Sequence, residues 1–432
     1  MADSARSAHP GVQAQLDRLS TLSPAGDRLG LERIMALLDR LGRPQDRLPP
    51  VFHVAGTNGK GSTCAFVRAA LEAASLTVHA FTSPHLVRFN ERIRVAGRLI
   101  EDDQLADLLD EVLDSSAAIE PSFFEVATAV ALLAFARTPA DACIFEVGLG
   151  GRLDATNVVE QPLSTAITHL ALDHQQFLGK RLSDIAAEKA GIAKTGVPLV
   201  TQLYAPAISG RISEIAHEKG AKWLPRGGLW DATVSRDTLR YRDEQGSLAL
   251  PLPRLPGRHQ AMNAALAIAM LRHQSTLTVP QSALVAAMSC ADWPARLQKL
   301  APGPLIRSLE VWLDGGHNPA AARQVASWVK HAFDPAEPLH LVFASLATKD
   351  AAGMLEPFRG VAAHVHAVQI ADHACFAPGE LVDVAAGLGM AADAHDNVAD
   401  ALQAVPQDAR VLIFGSLYLA DEVLTANGQV PA

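Results

Sequence analysis

Short apolar runs alternate with stretches of helical periodicity through the first 300 residues. The apolar run Val51–Ala55 has the length of a strand, and the apolar positions of 62–74 recur at helical spacing. The same patterns predict further strands at 78–82, 142–147, 165–169 and 198–202, and helices at 104–113, 125–136, 183–192, 208–219, 263–272 and 281–291. Such alternation is typical of a mostly parallel sheet with helices on both faces.

The alternation of predicted strands and helices changes at two places later in the chain. Residues 230–255 contain two short apolar runs around a turn, which predicts an inserted hairpin. A Pro-Gly-Pro segment at 302–304 suggests a linker, after which strands are predicted at 311–314, 339–344, 365–370 and 410–414, with a helix at 320–331. We therefore predict two α/β domains, an N-terminal domain over 1–300 and a smaller Rossmann-like domain over 301–432.

Composition narrows the class of protein. The chain has 432 residues, of which 49% are hydrophobic, and its net charge is −9 without a basic block, which argues against nucleic acid as a partner. The four cysteines are far apart and form no C-x-x-C pair, so neither a zinc site nor a disulfide framework is predicted. The first ten residues contain no apolar signal segment, and the longest apolar stretch, 126–136, is too short to span a bilayer. We expect a cytoplasmic protein without a membrane partner.

A glycine-rich turn follows the first strand and contains the chemistry of a phosphate loop. Gly56, Gly59 and Gly61 allow the backbone to approach a polyphosphate, Lys60 offers a positive charge, and Ser62 opens a helix. The spacing departs from G-x-x-x-x-G-K-[ST], because only two residues separate the first glycines and Gly61 intervenes before the hydroxyl. The alternative is a tight turn with an exposed lysine.

Polar residues follow three other strands of the predicted sheet. Ser83 follows one strand, Glu146 lies at the end of another, and Asp173 and His174 follow a third. Because the carboxyl ends of parallel strands share one edge, we expect these groups to meet the phosphate loop. Oxygen ligands suit Mg²⁺, whereas a histidine alone is more often structural. Glu146 requires a partner, either an arginine or a metal.

Three other polar groups have simple explanations when each is considered alone. Glu188 and Lys189 suggest a surface charge pair on a helix, and Arg92 and Arg94 suggest solvated charges in a loop or hairpin. In the second domain Asn318 can cap a helix that has proline at its first position, but capping leaves Asp314 and His317 unexplained.

Taken together, the motifs resemble the folylpolyglutamate synthase/dihydrofolate synthase family of the Mur ligase superfamily. The similar segments are 53–63, 82–92, 146–157, 172–174, 188–192, 255–260, 314–319 and 415–419. They occur in the order found in that family and extend over most of the chain, from Leu29 to Tyr418. The resemblance implies an N-terminal domain of the Mur ligase central type, which contains the P-loop, and a Rossmann-like C-terminal domain.

The resemblance also implies residue roles. Catalytic residues would be Lys60, Lys189 and His317. ATP would contact Asn58, Gly59, Lys60, Gly61, Ser62, Asn263, Arg296 and Asp314. Metal ligands would be Ser83, Glu146, His174 and Lys189, the lysine as its carbamate. A pterin substrate would contact Arg28, Leu29, Phe123, Phe124, Leu153 and Asp154, and glutamate would contact Arg92, His317 and Ser416.

The implied activity is ATP-dependent addition of L-glutamate to dihydropteroate and to reduced folates through an acyl phosphate. Mg²⁺ at two sites would assist, with a monovalent cation as a candidate activator, and the enzyme would be a monomer. Two departures from the family pattern are Ala295, where a glycine is usual, and Thr348, where an aspartate is usual.

Three alternatives to this activity remain open. The first is a folylpolyglutamate synthase without dihydropteroate activity. The second is a UDP-muramyl ligase, for which the residues before the phosphate loop leave little room. The third is a nucleotide-binding module without ligase chemistry.

Overall fold

The computed structural model describes residues 5–22, 29–334 and 337–431. The chain divides into two compact units, the first formed by residues 1–254 and 260–292 and the second by residues 255–259 and 293–432. The boundary therefore falls before Trp293 rather than at residue 300. The short segment 255–259, which we had assigned to the first domain, packs with the second unit.

The first unit alternates strands and helices for most of its length, as the apolar pattern indicated. Its strands are β1 Val51–Ala55, β2 Val78–Phe81, β3 Ile93–Val95, β4 Arg98–Leu99, β5 Ala142–Glu146, β6 Ser164–Ile167, β7 Pro198–Thr201, β8 Lys222–Pro225, β9 Trp230–Ser235, β10 Thr238–Asp243 and β11 Gly246–Pro251. Its helices are α1 Pro10–Leu22, α2 Glu32–Arg40, α3 Lys60–Ala73, α4 Asp102–Asp114, α5 Phe123–Arg137, α6 Gln175–Leu178, α7 Leu182–Ala190, α8 Pro206–Glu218, α9 Arg258–Arg272 and α10 Gln281–Cys290.

The main sheet of the first unit positions the predicted site. Within the described residues it has eight strands in the order β4-β3-β2-β5-β1-β6-β7-β8. All neighbours from β2 to β8 pair in parallel, whereas the short strands β3 and β4 are antiparallel. The phosphate loop follows β1, Ser83 follows β2, Glu146 ends β5, and Asp173 lies after β6. These four strands are neighbours in the sheet, so the prediction of a shared edge is confirmed.

Helices cover the sheet because their apolar faces fit it. Helices α1, α2, α4 and α5 pack with strand side chains in one core, and α7 and α8 pack in another. Residues 125–135 of α5 are all buried, which explains its continuous apolar sequence. In the described part of the chain, no helix combines the length and apolar character that a membrane crossing requires.

The inserted segment is a three-stranded antiparallel sheet, β11-β10-β9, rather than a simple hairpin. We missed β9 because only Trp230 and Ala232 of its six residues are buried, and they do not form an apolar run. Asp243 anchors this sheet, since both of its carboxylate oxygens accept hydrogen bonds from the Arg272 guanidinium at 2.7 Å.

The second unit is a smaller α/β domain, as predicted. Its strands are β12 Gln298–Lys299, β13 Glu310–Asp314, β14 Leu339–Phe343, β15 Ala362–Ala367, β16 Ala392–Ala394 and β17 Arg410–Phe414, and its helices are α11 Pro319–Ala332, α12 Ala351–Leu355, α13 Pro378–Gly387, α14 Val398–Ala404 and α15 Leu417–Ala426. Its described sheet has the order β12-β13-β17-β14-β15-β16, with only β12 antiparallel.

The predicted linker at 302–304 is wrong, because this segment packs inside the second unit. A Cβ atom added at Gly303 would stand 2.5 Å from the carbonyl oxygen of Asn427, just after α15. The Asn427 side chain also accepts hydrogen bonds from the backbone of Leu305 and Ile306. A Pro-Gly-Pro sequence therefore marks a tight turn here rather than a domain boundary.

Candidate active site

The phosphate loop joins β1 to α3 and is held against the segment that follows β6. The backbone N–H groups of Thr57 and Asn58 donate to the carbonyl oxygen of His169 at 3.0 and 3.1 Å. The Thr57 hydroxyl donates to the carbonyl of Ala171 and accepts from its N–H. Helix α3 begins at Lys60, two residues earlier than predicted, so its first N–H groups point from the loop toward the strand ends.

Two glycines of the loop are required by what lies against them. Gly56 has φ +151°, and a Cβ atom there would overlap the Thr168 hydroxyl. Gly59 has φ +90°, and a Cβ atom there would stand 2.5 Å from Oδ1 of Asn263 on α9. Asn263 is buried and donates to Gln260 at 3.1 Å. The structure thus places Asn263 beside the loop, where the resemblance expected an ATP contact.

A lysine and a carboxylate face each other beyond β1 and β5. Lys60 Nζ lies 3.9 Å from Oε1 of Glu146, and the backbone N–H of Ser83 donates to Oε2 of Glu146 at 3.3 Å. Glu146 is 4% exposed. The sequence offered an arginine or a metal as its partner, and the structure supplies Lys60. The Ser62 and Thr63 hydroxyls nearby on α3 are buried without a protein partner.

Lys189 is the largest departure from the surface pair suggested by its local sequence. It lies on α7, is 5% exposed, and has its pKa lowered to about 7 by burial and by the positive charge of Lys60. Asp173 and Asp154 oppose this effect. The carboxylate of its neighbour Glu188 pairs with Arg152 at 2.9 Å. A buried lysine amine that is half neutral near pH 7 is a nucleophile rather than a surface charge.

His174 is exposed and adopts left-handed backbone at φ 49° immediately before the short helix α6. The backbone N–H of His174 donates to Oδ1 of the adjacent Asp173 at 2.9 Å. The structure therefore brings Lys60 and Ser83 into contact with Glu146, and Lys189 lies close enough for the charge of Lys60 to act on its amine. The structure places His174 in the segment after β6, next to an aspartate that acts electrostatically on Lys189.

The Asp154 carboxylate fixes the loop that follows β5 through hydrogen bonds within that loop. Asp154 is 3% exposed, and its carboxylate accepts hydrogen bonds from the N–H of Leu149 at 2.8 Å and from the Thr156 hydroxyl at 2.5 Å. Thr156 in turn contacts Nε2 of the buried His53 at 2.8 Å. Burial raises the pKa of Asp154 and lowers that of His53 to about 3, so the imidazole is neutral at pH 7.

The other residues predicted for a pterin lie on three segments of the chain. Leu153 and Leu29 are partly buried, whereas Arg28 lies outside the described residues. Phe123 and Phe124 open α5, and the Phe124 ring occupies the space that a Cβ at Gly148 would need, at 2.5 Å. The Phe124 ring thus packs against the loop that contains Asp154.

Arg92 is buried rather than solvated. It is 1% exposed, and its guanidinium carbon lies 5.3 Å from the ring centre of Phe123 and 5.7 Å from that of Phe89. Its Nε donates to Nδ1 of His85 at 2.8 Å, so His85 presents a lone pair at that nitrogen. The motifs of the sequence gave His85 no role. Its contact identifies it as the residue that orients Arg92.

In the second unit, Asp314 ends β13 and organises a turn. It accepts from the N–H groups of Leu297 at 2.9 Å and Gly316 at 2.8 Å, and burial raises its pKa. Arg296 lies close enough for its charge to act on Asp314, and its Nη1 donates to the carbonyl of Ala295. Ala295 has φ 53°, so an alanine occupies a backbone conformation that favours glycine.

His317, Asn318 and Ser416 follow strands of the same sheet. Asn318 caps α11 by accepting from the N–H of Ala321 at 2.9 Å, and Pro319 is the first helical residue, as predicted. The half-buried His317 ring contacts the carbonyl of Gly315 at 3.2 Å. Ser416 follows β17 and caps α15. Thr348, which stands where the family usually has an aspartate, is exposed, and the nearby Asp350 caps α12.

Comparison with known proteins assigns the family. Residues 54–271 match the Mur ligase middle domain, and residues 305–426 match the dihydrofolate synthetase C-terminal domain. The dihydrofolate synthase/folylpolyglutamate synthase of Bacillus subtilis (strain 168) is 37% identical over 359 residues, covering 79% of this chain and 81% of that protein. The chain belongs to the dihydrofolate synthase/folylpolyglutamate synthase family.

Two further relatives cover nearly the whole chain. The folylpolyglutamate synthase of Lacticaseibacillus casei is 33% identical over 95% of this chain and 96% of its own length. The structure of E. coli FolC in complex with DHPP and ADP superposes with a TM-score of 0.88, at 33% identity and 98% coverage of both chains. The α/β fold with two Mur-ligase-like domains is therefore that of the family.

The residues of the first unit fit the magnesium nucleotide that this family would bind. The Ser62 and Thr63 hydroxyls lie in the first turn of α3 and are buried without a protein partner. In the ranges that the structure describes, no three His, Cys, Asp or Glu side chains are grouped as a metal site. An ion here would therefore need phosphate oxygens, hydroxyls and water beside Glu146, which is the manner in which Mg²⁺ is usually held.

Sequence reasoning missed three residues that shape the site. Thr168 follows β6 and dictates the glycine at position 56, His85 orients Arg92, and Thr156 links His53 to Asp154. Each acts through another residue that the motifs had named. The strand-end pattern could have suggested Thr168, but the two side-chain contacts depend on packing that spacing does not reveal.

Proposed function

We propose that this protein is an ATP-dependent ligase that adds L-glutamate to dihydropteroate and to reduced folates. The observation that supports this most strongly is the contact of Lys60 and Ser83 with Glu146 at the ends of neighbouring parallel strands, together with the buried Lys189 amine of α7, on which the Lys60 charge acts. A carboxylate is a poor electrophile, and transfer of the γ-phosphoryl group of ATP converts it into an acyl phosphate. The amine of glutamate then attacks the acyl carbon, and phosphate leaves.

The phosphate loop would bind and neutralise the transferred group. Backbone N–H groups at the start of α3 point toward negative charge, and Lys60 would compensate the charge that spreads over the phosphoryl oxygens. Before the nucleotide binds, Lys60 rests near Glu146 at 3.9 Å. Among the other nucleotide contacts we propose Asn58, Gly59, Gly61, Ser62 and Asn263 from the first unit, and Arg296 and Asp314 from the second.

A divalent cation bound here would polarise the phosphate oxygens and reduce the electrostatic repulsion that opposes attack on the γ-phosphoryl group. We propose that Ser83, Glu146 and His174 hold it. Lys189 would complete a second metal position as its carbamate, which forms when the neutral amine adds CO₂ and releases a proton. The pKa of about 7 supports this step, because a substantial fraction of the amine is unprotonated at neutral pH.

We propose that Arg92, His317 and Ser416 bind the incoming glutamate. A guanidinium suits a carboxylate through paired hydrogen bonds, and His85 fixes the orientation of Arg92 through a 2.8 Å contact. The pterin would lie against Phe123, Phe124 and Leu153, near the segment that contains Arg28 and Leu29. Because Asp154 is satisfied by its own loop, its proposed role toward the pterin includes fixing that loop.

The second candidate is a folylpolyglutamate synthase without dihydropteroate activity. The relative from L. casei bears only that name and matches over almost its whole length. All proposed residues belong to one chain, so we also propose an active monomer, which sedimentation analysis tests. We place it in the cytoplasm because ATP is its proposed co-substrate.

Release of ADP with defined acceptors separates the two candidates. Purified protein is assayed with ATP, Mg²⁺ and L-glutamate, and either dihydropteroate or tetrahydrofolate is added. The bifunctional enzyme forms ADP with both acceptors, whereas a folylpolyglutamate synthase forms it only with tetrahydrofolate. ADP formation with neither acceptor would contradict ligase function.

A matched pair of variants links the activity to the phosphate loop. Lys60→Met removes the charge near Glu146, and we expect turnover to fall by at least about a hundredfold. Lys299→Met is the control, because that side chain is 55% exposed and pairs with Glu310. Equal activity of the two variants would argue for a nucleotide-binding module whose loop does not take part in catalysis.

A further inference from the structure

Four histidines cluster on one face of the second unit's sheet, and none of them is among the residues assigned above. His340 lies on β14, His364 and His366 lie on β15, and His395 directly follows β16. The ring centres of His340 and His366 are 5.1 Å apart, and so are those of His366 and His395. Histidine is uncommon as a strand residue in such number, so the cluster needs an explanation.

Three of these rings form a hydrogen-bonded chain, which we call the imidazole chain. Nδ1 of His340 lies 2.8 Å from Nε2 of His366, and Nδ1 of His366 lies 3.0 Å from Nε2 of His395. His366 is the central ring and is 2% exposed. Both of its nitrogens are therefore committed to other imidazoles, and the chain connects β14, β15 and the segment after β16.

Proton counting shows how such a chain responds to acid. A neutral imidazole has one N–H and one lone pair, so a neutral His366 donates to one neighbour and accepts from the other. One extra proton is tolerated, because a cationic ring at any one position can donate while the others accept. If both end rings are cationic, each presents only N–H groups, and His366 would have to accept twice. A second proton therefore breaks a hydrogen bond.

The charges around the chain do not offset this effect. His364 stacks within 4.8 Å of His366 and 5.9 Å of His340, so its protonation adds a positive charge nearby. Two carboxylates face the group: Asp393 lies 3.0 Å from Nε2 of His364, and Asp408 acts electrostatically on His340. Full protonation of the four rings would thus leave excess positive charge. Within the described residues the cluster has no grouping that suits a metal.

We propose that the imidazole chain is an acid-sensitive clasp, which holds the edge strands β15 and β16 onto β14 at neutral pH and releases them when a second proton enters. β16 is the edge of the sheet and has only three residues, so side-chain contacts are needed to retain it. The device is independent of the ligase activity proposed above, because it contains none of the residues assigned to substrate.

The sign of the effect follows from the environment of His366. Burial and the neighbouring rings lower its pKa from 6.5 to about 4, so the folded state resists a proton that the unfolded state accepts. Stability that is present above pH 6.5 is therefore lost as the pH falls toward 4. Between pH 7 and pH 5, this group alone should raise the unfolding equilibrium constant of the second unit roughly twentyfold.

The test compares variants across that pH range. His366→Gln keeps one donor and one acceptor but cannot titrate, and His366→Phe removes both. His331→Gln is the control, because His331 is an exposed histidine of α11 in the same unit. Amide hydrogen exchange of 362–367 and 392–394, corrected for intrinsic rates, reports opening of the edge, and exchange of Val51–Ala55 reports the first unit.

In the wild type and in His331→Gln, acid should accelerate exchange in the edge strands at least tenfold more than in β1. This excess should disappear in His366→Phe, because the variant has no hydrogen bond between rings that the second proton could break. Equal acid acceleration in His366→Phe and wild type would overturn the proposal. If both His366 variants fail to fold, the ring ¹⁵N shifts of the wild type decide. Loss of the chain together with entry of the second proton supports the clasp, and an intact chain with two protonated rings refutes it.

Discussion

Burial of the Lys189 amine should lower the free energy of unfolding, although we propose that catalysis requires this residue. We expect Lys189→Met to inactivate the enzyme and yet to raise its free energy of unfolding at pH 6–7. The lysine is 5% exposed with a pKa of about 7, whereas an unfolded lysine titrates near 10.5. Methionine has a similar length without the charge, so it fills the same space on α7 and removes the penalty of burying an ammonium.

The magnitude follows from the difference between these two pKa values. At about 1.4 kcal/mol per pH unit, holding the proton in the folded state costs roughly 5 kcal/mol, an upper limit because the site can relax. The cost is complete below pH 7 and disappears as the pH rises toward 10.5, since the unfolded chain then loses the proton as well. Between pH 6 and pH 8.5 the advantage of Lys189→Met should therefore shrink by about 2 kcal/mol.

Urea unfolding of both proteins at several pH values, in buffers freed of CO₂, measures this difference. Addition of bicarbonate and Mg²⁺ should stabilise and activate the wild type, because carbamylation consumes the neutral amine, and it should leave Lys189→Met unchanged. A variant that is less stable than wild type at pH 6 would refute the account of a penalised amine. A bicarbonate response shared by both proteins would refute carbamylation of this residue.

Two other predictions concern the phosphate loop and the orientation of Arg92. Gly56→Ala should destabilise the first unit by roughly 3 kcal/mol or more and abolish nucleotide binding, because its Cβ would overlap Thr168 at φ +151°. Gly210→Ala is the control: it lies on α8 with no atom within 4 Å of the added Cβ, and it should stabilise by about 0.5–1 kcal/mol in thermal melts. His85→Phe should raise the KM for glutamate about tenfold with a smaller change in kcat, since it removes the acceptor that orients Arg92. An unchanged KM for glutamate would contradict the assignment of Arg92 to the glutamate site.

The periodic pattern of the sequence predicted the sheets and most helices because burial dictates that pattern. Strands β1, β5 and β17 are buried along most or all of their length and were located within one residue. Two of the missed strands have weak signals, because β9 is only partly buried and β16 has three residues without a buried position. The sequence analysis also gave no prediction for α1, α2 and the helices that follow α11, although α2 buries Ile34, Leu37 and Leu38. The linker was misplaced because a Pro-Gly-Pro turn has the same composition whether it packs or connects.

For the site, the sequence identified residues but not their environments. Lys189 and Arg92 looked like surface charges because neighbours in sequence are polar, whereas burial arises from segments distant along the chain. The sequence showed alanine at 295 where glycine is usual, and the structure shows that this alanine has left-handed backbone at φ 53°. The imidazole chain was not foreseen, since a hydrogen bond between His340 and His366 requires two strands in a known register.

The central claim is that this chain activates a carboxylate by phosphorylation before glutamate attacks. Dihydropteroate labelled with ¹⁸O in its carboxylate, incubated with ATP, Mg²⁺ and L-glutamate, tests it through mass spectrometry of the released phosphate. The account predicts one ¹⁸O atom transferred to phosphate for each dihydrofolate formed. Product that forms while the phosphate remains unlabelled would contradict it.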